Sequence, residues 1–302
     1  MKKSLLSICN PYKYSLCKNV SSIFYPFLLK RIYKKNTGNS LNLKNPKRFT
    51  EKIQWLKLNE NSTEKTNLVD KLSAKKIINE RFNDEVKVAE VYGIWDSFDE
   101  IDFNSLPERF ALKTNHGFFN TAVITDKSIF LSSAKDKANV LYEKMLKTNY
   151  AFVSGFEMVY KNIVPKIYAE EELPTNSGQI IPDYQFHCFN GVPRIVQKTL
   201  LTSEYKHSNF YDLTWKKLNI GIKGFYQENL YYEDIQPVLF DKMLEIAKEL
   251  SKDFKYARID LAEIDNKIVF MEATFTPHSG FMQFLPDSVD FDWGNMLNLN
   301  NN

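Results

Sequence analysis

The sequence contains few cysteines and few glycines. Its three cysteines, Cys9, Cys17 and Cys188, form an odd set without CxxC spacing. This pattern supports neither a disulfide framework nor a zinc site, and it favours a reducing compartment. Only ten glycines accompany 23 phenylalanines and 16 tyrosines among the 302 residues. Because so much aromatic surface must be buried, these counts exclude a loop-dominated chain and predict one large or two closely packed domains.

Long apolar runs are also missing. The longest, residues 23–29, contains Pro26 and is far shorter than the roughly 20 residues that a membrane-spanning helix requires. Lys2 and Lys3 resemble the start of an export signal, but Asn10-Pro11 interrupts the apolar segment that follows them. We therefore expect a cytoplasmic protein, either soluble or peripheral at the inner face of the membrane.

Acidic residues are absent from the first 50 positions, which contain eleven Lys and Arg. The whole chain has a net charge of +3, so residues 51–302 carry −8. Residues 19–35 mix apolar and basic side chains as in a basic amphipathic helix. The basic segment either packs on the acidic remainder or contacts an anionic membrane or polysaccharide. Nucleic acid is not an expected partner, because no stacking or groove-reading motif accompanies the charge.

Hydrophobic periodicity predicts a mixed chain of helices and strands, without an internal repeat or a clear linker after residue 51. Further helices are predicted from residue 50 and at residues 70–82, 132–146 and 237–250. Strands are predicted at residues 86–92, 109–114, 122–125, 163–169, 184–189, 194–199, 257–264 and 267–273. The Asn190-Gly191 step between two of these strands predicts a tight hairpin.

The last two predicted strands carry the most informative polar residues. If they pair, Arg258, Asp260 and Glu272 share one face of the sheet. The opposite face then holds three apolar residues: Ile259, Leu261 and Met271. Mg²⁺ prefers oxygen ligands, often one or two carboxylates, so Asp260 and Glu272 are candidate ligands. Arg258 would contact phosphate oxygens, and the alternative is a surface ion pair between Arg258 and Asp260.

A lysine and an acidic run end two other predicted strands. Lys113 precedes the turn Thr114-Asn115-His116-Gly117, so it could reach a nucleotide phosphate while backbone N–H groups approach the same ligand. The alternative is an edge lysine that limits strand pairing. Of the three acids at 170–172, one could bind ribose hydroxyls, although such runs more often mark a solvated strand end.

Eight segments occur in an informative order: residues 47–59, 69–71, 110–117, 157–160, 165–173, 183–191, 209–215 and 258–280. Together they resemble the TupA-like ATP-grasp family over roughly 230 residues. The resemblance implies an α/β (α+β) protein with the ATP-grasp fold, in which two α/β subdomains close over Mg-ATP. The implied division is a basic helical leader (1–50), an N-terminal α/β segment (51–105), a small subdomain (106–178) and a large subdomain with the metal site (179–302).

The resemblance also implies roles for individual residues. The ATP-binding residues would be Lys71, Lys75, Lys113, His116, Gly117, Glu170, Glu171 and Gln185. The magnesium ligands would be Asp260, Glu272 and Thr274. The catalytic residues would be Arg258, His278 and Ser279, which face the acyl phosphate and the acceptor. His278 either assists proton removal or orients its loop.

The implied reaction is an ADP-forming, ATP-dependent union of a carboxylate and an amine through an acyl phosphate. The family's association with teichuronopeptide and capsule synthesis suggests a uronic acid of a bacterial surface polysaccharide, or its precursor, as the carboxylate. Three features depart from the family pattern: Phe118-Phe119 replaces a glycine-rich lid, Gln185 replaces a common lysine, and Thr274 stands where many ATP-grasp enzymes have an asparagine. The alternatives are a non-catalytic nucleotide-binding protein and a glycosyltransferase of the same pathway.

Overall fold

The computed structural model describes residues 18–118, 120–173, 181–201, 206–224 and 234–300. Residues 1–17 of the predicted leader, with Cys9 and Cys17, lie outside these ranges, as does Phe119. The described residues contain eight α-helices: α1 (Tyr25–Thr37), α2 (Phe49–Asn59), α3 (Thr63–Val69), α4 (Lys71–Phe82), α5 (Lys127–Ser133), α6 (Lys135–Leu146), α7 (Phe240–Ser251) and α8 (Ser288–Met296). They also contain thirteen β-strands: β1 (Val86–Lys87), β2 (Val91–Trp95), β3 (Phe110–Thr114), β4 (Thr121–Ile124), β5 (Ile167–Glu170), β6 (Asp183–Phe189), β7 (Val192–Leu201), β8 (Lys206–Tyr211), β9 (Lys217–Leu218), β10 (Gly221–Ile222), β11 (Tyr256–Ile264), β12 (Lys267–Thr274) and β13 (Phe284–Leu285).

These strands form three sheets. The large sheet has seven strands in the order β1-β12-β11-β6-β7-β8-β9, and the small sheet has four in the order β2-β5-β3-β4. Strands β10 and β13 form a separate pair. Within the large sheet β1 and β12 are parallel, whereas the pairs β11–β12, β6–β11 and β6–β7 are antiparallel. The predicted mixed α/β class is confirmed.

Two tight turns organise the large sheet. Asn190 and Gly191 join β6 to β7 with φ values of 48° and 76°, which confirms the predicted hairpin. Asp265 and Asn266 join β11 to β12 with φ values of 52° and 58°. Both pairs are residue types that tolerate the left-handed backbone of a two-residue hairpin turn.

The apolar sides of helices cover both faces of the large sheet, but over different areas. One face packs against α4 and α7 through residues such as Ile78, Met243 and Ile259. The other face packs against α2 and α8 around Phe49 and Trp293. In the small sheet, one face packs against the helical pair α5–α6 in a separate cluster. The polar residues discussed below lie on the parts of the two sheets that these clusters do not cover.

Two predicted elements are each divided in the structure. Residues 86–92 form two strands rather than one, because the chain crosses from the large sheet to the small sheet at residues 88–90. Residues 132–146 are not one continuous helix, because Ala134 ends α5 and precedes α6.

The expectation for Met271 was wrong. The register of β11 and β12 shifts between Asp260 and Leu261, so Asp260 opposes Glu272 while Leu261 opposes Phe270. Met271 is the additional residue of this bulge and is 41% exposed, whereas Leu261 lies in the core. A bulge breaks the simple alternation of side chains on which the expectation was based.

The N-terminal basic segment packs into the fold from α1 onward. The inner face of α1 buries Leu29, Ile32 and Tyr33 in a cluster that also contains Phe152 and Phe156. Among the helices that the structure describes, none has the length and apolar composition needed to cross a membrane.

The predicted boundary at residue 50 falls inside α2. Arg48, which precedes this helix, donates to the two carboxylate oxygens of Asp287 at 2.6 and 2.8 Å. Asp290 accepts hydrogen bonds from the backbone N and the hydroxyl of Thr50 at 2.9 and 2.7 Å. These contacts join the start of α2 to α8 at the other end of the sequence.

Candidate functional site

Strands β11 and β12 place two carboxylates and a guanidinium side by side. Asp260 lies directly opposite Glu272, and Arg258 lies opposite Thr274. The guanidinium of Arg258 donates to both carboxylate oxygens of Asp260, at 2.7 and 2.5 Å, and to Glu272 Oε1 at 2.9 Å. The structure thus brings together the polar residues that strand alternation places on one face.

Strand β6 adds an amide and a third carboxylate. Gln185 pairs with Asp260 in the ladder, and its Nε2 donates to Asp260 Oδ2 at 3.1 Å and to Asp183 Oδ2 at 2.8 Å. The hydroxyl of Thr199 on β7 donates to Gln185 Oε1 at 3.3 Å. Gln185 therefore orients two carboxylates as a neutral donor, without supplying a charge.

The pKa values of the two facing carboxyl groups are shifted in opposite directions. Burial raises the pKa of Asp260, nearby Asp183 and Glu272 act in the same direction, and Arg258 opposes them. Burial also raises the pKa of Glu272, but the cations of Arg258 and Lys71 outweigh it, so the net shift is downward. A further cation beside Asp260 and Glu272 would stabilise the ionised form of both groups.

The donor set around these carboxylates fits a hard cation. Thr274 Oγ1 lies 3.3 Å from Glu272 Oε1, and Asp260 is across the ladder from Glu272. Mg²⁺ is commonly held by one or two carboxylates while phosphates and water complete its octahedron. Within the part of the chain that the structure describes, no group of three or more His, Cys, Asp and Glu is arranged for metal binding. A Mg²⁺ ion held here would therefore need ligands from a bound substrate.

The small sheet carries the predicted strand lysine. Lys113 on β3 forms an ion pair with Glu170 on β5, and Glu170 is also paired with Lys75 Nζ at 2.8 Å. Glu171 instead pairs with Lys87 Nζ at 2.6 Å. Because successive side chains of a strand alternate, Glu170 and not Glu171 shares the face of Lys113.

The surface beside Lys113 is apolar and partly open. Ala111, two residues earlier on β3, pairs with Val123 on β4, and Val123 is 56% exposed. Tyr168 pairs with Lys113 across the ladder to β5 and is buried. This face of the small sheet therefore combines a lysine and a glutamate with a patch of apolar surface.

Lys71 connects the two groups of charges. Asp70 accepts from the backbone N of Leu72 at 3.0 Å and so caps the N-terminus of α4, where Lys71 is the first residue. Burial lowers the pKa of Lys71, and Glu272 is the strongest of the charges that raise it. Lys113 also acts on Lys71 and on Glu272, so the charges of the small sheet lie within electrostatic range of the carboxylates of the large sheet.

The turn after Lys113 is held by a neutral histidine and a glycine. His116 Nε2 lies 3.2 Å from the carbonyl of Thr148, which can only accept, so Nε2 carries the proton. Burial lowers the pKa of His116 to about 4. Gly117 has φ of +75°, and a Cβ at this position would lie 2.4 Å from the ring of Tyr150. His116 thus supports the turn as a neutral group, and the carbonyl of Gly117 accepts from Lys71 Nζ at 2.7 Å.

The loop after β12 has an unusual backbone. His278, Ser279 and Gly280 have φ values of 49°, 54° and 68°, so three consecutive residues are left-handed. Two of them are not glycine, and such conformations persist only where the surroundings enforce them. The loop therefore depends on contacts from other parts of the chain.

Two residues of α2 supply one set of these contacts. Lys57 is 2% exposed, and its Nζ donates to the carbonyls of Ser279 at 2.6 Å and Gly155 at 3.0 Å and to Gln54 Oε1 at 3.1 Å. Gln54 Nε2 donates to the carbonyls of Ser279 and Gly280 at 3.1 and 2.7 Å. Burial lowers the pKa of Lys57 to about 8.

Glu157 holds the loop from the other side. It accepts from the hydroxyl of Thr276, and its second oxygen accepts from Ser279 Oγ at 3.0 Å. The charges of Glu157, Glu272 and Arg258 all affect the pKa of the buried hydroxyl of Tyr160. The contacts between Glu157 and the loop therefore lie near Glu272 and Arg258. Of the two residues predicted in this loop, Ser279 is held by Glu157, and His278 precedes it in the chain.

Gln54, Lys57 and Glu157 were missed as functional candidates. Phe49, Ile53 and Leu56 of α2 are buried at helical spacing, and Lys57 follows on the same face. That spacing could have identified Lys57 as an inward-facing charge, because Lys57 lies four residues after buried Ile53 and residues four apart share one face of a helix. Nothing in the sequence indicates what its ammonium group contacts.

A family model for TupA-like ATPgrasp matches residues 51–298. Among solved structures, the chain is similar to D-alanine–D-alanine ligase from Bacillus anthracis complexed with ATP, with 15% identity and a TM-score of 0.41. That similarity covers 76% of this chain and 63% of the ligase, so the chain spans less than two thirds of the length of that structure. A RimK domain ATP-grasp protein from Sphaerobacter thermophilus DSM 20745 has 10% identity, a TM-score of 0.42 and coverage of 76% and 66%. No curated protein matches the chain.

Proposed function

This chain belongs to the TupA-like ATP-grasp family, and we propose that it is an ADP-forming ligase that joins a carboxylate to an amine. The observation that carries the proposal is that charged side chains of the large sheet lie near those of the small sheet. Asp260 and Glu272 face each other on the large sheet, and the lysines Lys71 and Lys113 lie within electrostatic range of Glu272. Two carboxylates beside two lysines suit a triphosphate that is bound together with a divalent cation.

In this proposal the nucleotide lies between the sheets. Lys113 and Lys71 bind phosphate oxygens, and Glu170, held between two lysines, faces the ribose. The exposed apolar side chains of Val123 on the small sheet and Met271 on the large sheet offer surfaces for the two faces of the base. The bulge in β12 is what turns Met271 out of the core.

Asp260, Glu272 and Thr274 would hold Mg²⁺. The ion would neutralise charge on the phosphates and orient the transferred group. Arg258, which already contacts both carboxylates, orients them and presents a rigid fork to the phosphoryl group as negative charge develops.

A free carboxylate is a poor acyl donor, so its oxygen attacks the terminal phosphorus of ATP and ADP leaves. The nitrogen of the amine then attacks the acyl carbon, and phosphate departs after loss of a proton from nitrogen. The loop with His278 and Ser279 would face this second step. Ser279 Oγ already donates its proton to Glu157, so its oxygen is oriented to accept from an N–H group of the amine. His278 either removes the proton or orients the loop.

We propose a uronic acid of a bacterial capsular or surface polysaccharide, or of its precursor, as the carboxylate. The family resemblance and the basic N-terminal segment motivate this choice, since a polyanionic substrate is attracted to a basic surface. We also propose that residues 1–50 contact an anionic membrane or polysaccharide.

The central experiment measures ADP and phosphate release from ATP and Mg²⁺ with panels of uronic acids and amines. Glu272→Gln should lower this release at least about 100-fold, because it removes a carboxylate without changing the shape of the side chain. Asp265→Asn is the matched control, since Asp265 lies in the exposed turn of the same hairpin and Asn tolerates its φ of 52°. Exclusive release of AMP, or equal activity of the Glu272→Gln variant, would contradict the proposal.

A nucleotide-binding protein without catalytic activity is the second candidate, because neutral Gln185 contacts Asp260 where a lysine would add a phosphate charge. Tight binding of ATP without ADP release under all substrate conditions would select it.

A sugar-nucleotide transferase is less consistent with the structure. The single Asp-x-Asp triplet, Asp290-Phe291-Asp292, places Asp290 in buried hydrogen bonds with Thr50.

A further inference from the structure

Three apolar side chains are exposed together at the start of α1. Ile23 is 78% exposed, and Phe24 and Phe27 are each 56% exposed. They lie on the turn that leads into the helix and on its first turn, whereas Leu29 and Tyr33 on the inner face are fully buried. An isolated exposed apolar residue is ordinary, but two phenylalanines and an isoleucine within five positions form a patch.

Basic side chains continue this patch along the same helix. The exposed residues of the following turns are Lys30, Arg31, Lys34 and Lys35. A shallow surface depression beside them is lined in part by Pro26, Lys30, Leu43 and Lys44. No acidic residue occurs among residues 18–50. The outer face of α1 therefore combines an apolar end with a purely cationic end.

The inner face of the same helix adjoins the loop that holds Ser279. Leu29 and Ile32 lie within about 4 Å of the position where Gly155 would carry a Cβ, and the ring of Phe281 lies equally close. The carbonyl of Gly155 and that of Ser279 share the ammonium group of Lys57. One layer of side chains thus separates the outer face of α1 from the acceptor side of the site.

We propose that the outer face of α1 docks on an anionic lipid bilayer, with Ile23, Phe24 and Phe27 entering the boundary between headgroups and acyl chains. The lysines and Arg31 then contact lipid phosphates. A hydrated polyanionic glycan would satisfy the cations but would leave the apolar patch in water, so the patch selects the bilayer. Docking places the loop with Ser279 on the side of the protein that faces the membrane. If this loop faces the acceptor, which rests on the proposed function, the acceptor is itself held at a membrane, as a lipid-linked glycan is.

The experiment measures flotation of the full-length protein with vesicles of phosphatidylcholine, alone or with about 30% phosphatidylglycerol. We expect the partition coefficient to be at least about tenfold higher for the anionic vesicles and to fall as salt increases. Phe24→Ser combined with Phe27→Ser should lower this coefficient about tenfold or more, because both exposed side chains lose their apolar surface while every charge is kept, including that of Arg31, which lies 4.9 Å from the centre of the Phe27 ring. Val140→Ser is the matched control, since Val140 is 72% exposed on α6 and should leave binding unchanged.

A second pair of variants tests the charges. Lys34→Gln with Lys35→Gln should lower binding to anionic vesicles about tenfold or more, whereas Lys137→Gln on α6 should not. Absence of binding to anionic vesicles, or binding that is unaffected by the serine variants, overturns the proposal. Binding to a soluble polyanionic glycan that depends on Lys34 and Lys35 but not on the phenylalanines would identify a glycan surface instead.

ADP release with soluble substrates separates this proposal from the proposed function. Phe24 and Phe27 are each 56% exposed on the outer face of α1, so their serine variants should keep full activity on soluble substrates while losing vesicle binding. An active wild-type enzyme that ignores vesicles refutes docking alone. A protein that binds vesicles as expected but releases no ADP refutes the ligase function alone.

Discussion

Replacing Lys57 by methionine tests whether a buried charge shapes the loop with Ser279. Methionine fills nearly the same space, but it removes the ammonium group that donates to the carbonyls of Ser279 and Gly155 and to Gln54. Ser279 keeps a second donor, Gln54 Nε2 at 3.1 Å. The Gly155 carbonyl loses its bond to Lys57, and a buried carbonyl without a partner costs about 1–3 kcal/mol.

The substitution also removes an unfavourable charge. The pKa of Lys57 falls from its ordinary 10.5 to about 8 through burial. This difference corresponds to about 3 kcal/mol, since a tenfold change in proton affinity is about 1.4 kcal/mol. Near neutral pH the two effects oppose each other, so the free energy of unfolding should change by less than about 2 kcal/mol.

The way in which stability changes with pH tests whether burial lowers the pKa of Lys57. Because the pKa of Lys57 is lower in the folded protein than in the unfolded chain, the folded state binds fewer protons between about pH 8 and about pH 10.5. The stability of the wild-type protein should therefore rise relative to Lys57→Met across this window, by about 2–3 kcal/mol, and the difference should be flat below it. Urea denaturation of both proteins at a series of pH values measures this change.

Activity should respond more strongly than stability. Without the hydrogen bonds from Lys57, the loop at residues 278–280 can leave its left-handed conformation. The resulting displacement of Ser279 should lower kcat about 10- to 100-fold. Lys52→Met is the matched control, since Lys52 lies on the same helix and donates to the carbonyls of Gly294 and Leu297, away from the loop. Wild-type kcat in the Lys57→Met protein would refute the positioning role. A stability difference that does not change with pH would refute the role of burial.

Two further predictions concern packing. Gly117→Ala should destabilise the protein by about 2 kcal/mol or more, because φ of +75° and the ring of Tyr150 at 2.4 Å both oppose a Cβ; urea unfolding measures this, and an unchanged midpoint would contradict it. Cys188 is fully buried, and burial raises the pKa of its thiol to about 12, so alkylation of this residue should occur only as fast as the protein unfolds. Peptide mass spectrometry at increasing urea concentration checks this, and rapid labelling of Cys188 in the native protein would contradict its buried position.

Local patterns predicted much of the large sheet. The Asn190-Gly191 turn was predicted from residue type alone, because few residues adopt the left-handed backbone of a short hairpin turn. The shared face of Arg258, Asp260 and Glu272 followed from alternation along two strands joined by a short turn. Both features depend only on neighbours in the sequence.

The same reasoning failed where the chain departs from regular geometry. Met271 was placed on the core face because alternation was assumed to continue, and the bulge opposite Asp260 changed its direction. Residues 86–92 have the composition of one strand, yet they are divided between two sheets. No local signal distinguishes a continuous strand from one that crosses between sheets.

The sequence by itself determined the mixed α/β class, the facing carboxylates of Asp260 and Glu272 and the basic character of the N-terminal segment. Only the tertiary structure decided that Glu170 and not Glu171 accompanies Lys113, and that Lys57 and Glu157 hold the loop of Ser279. The physical reason is the range of the interactions. Strand alternation and turn preference act between adjacent residues. The hydrogen bonds of Lys57 instead join segments more than 90 positions apart, which meet only when the core is packed.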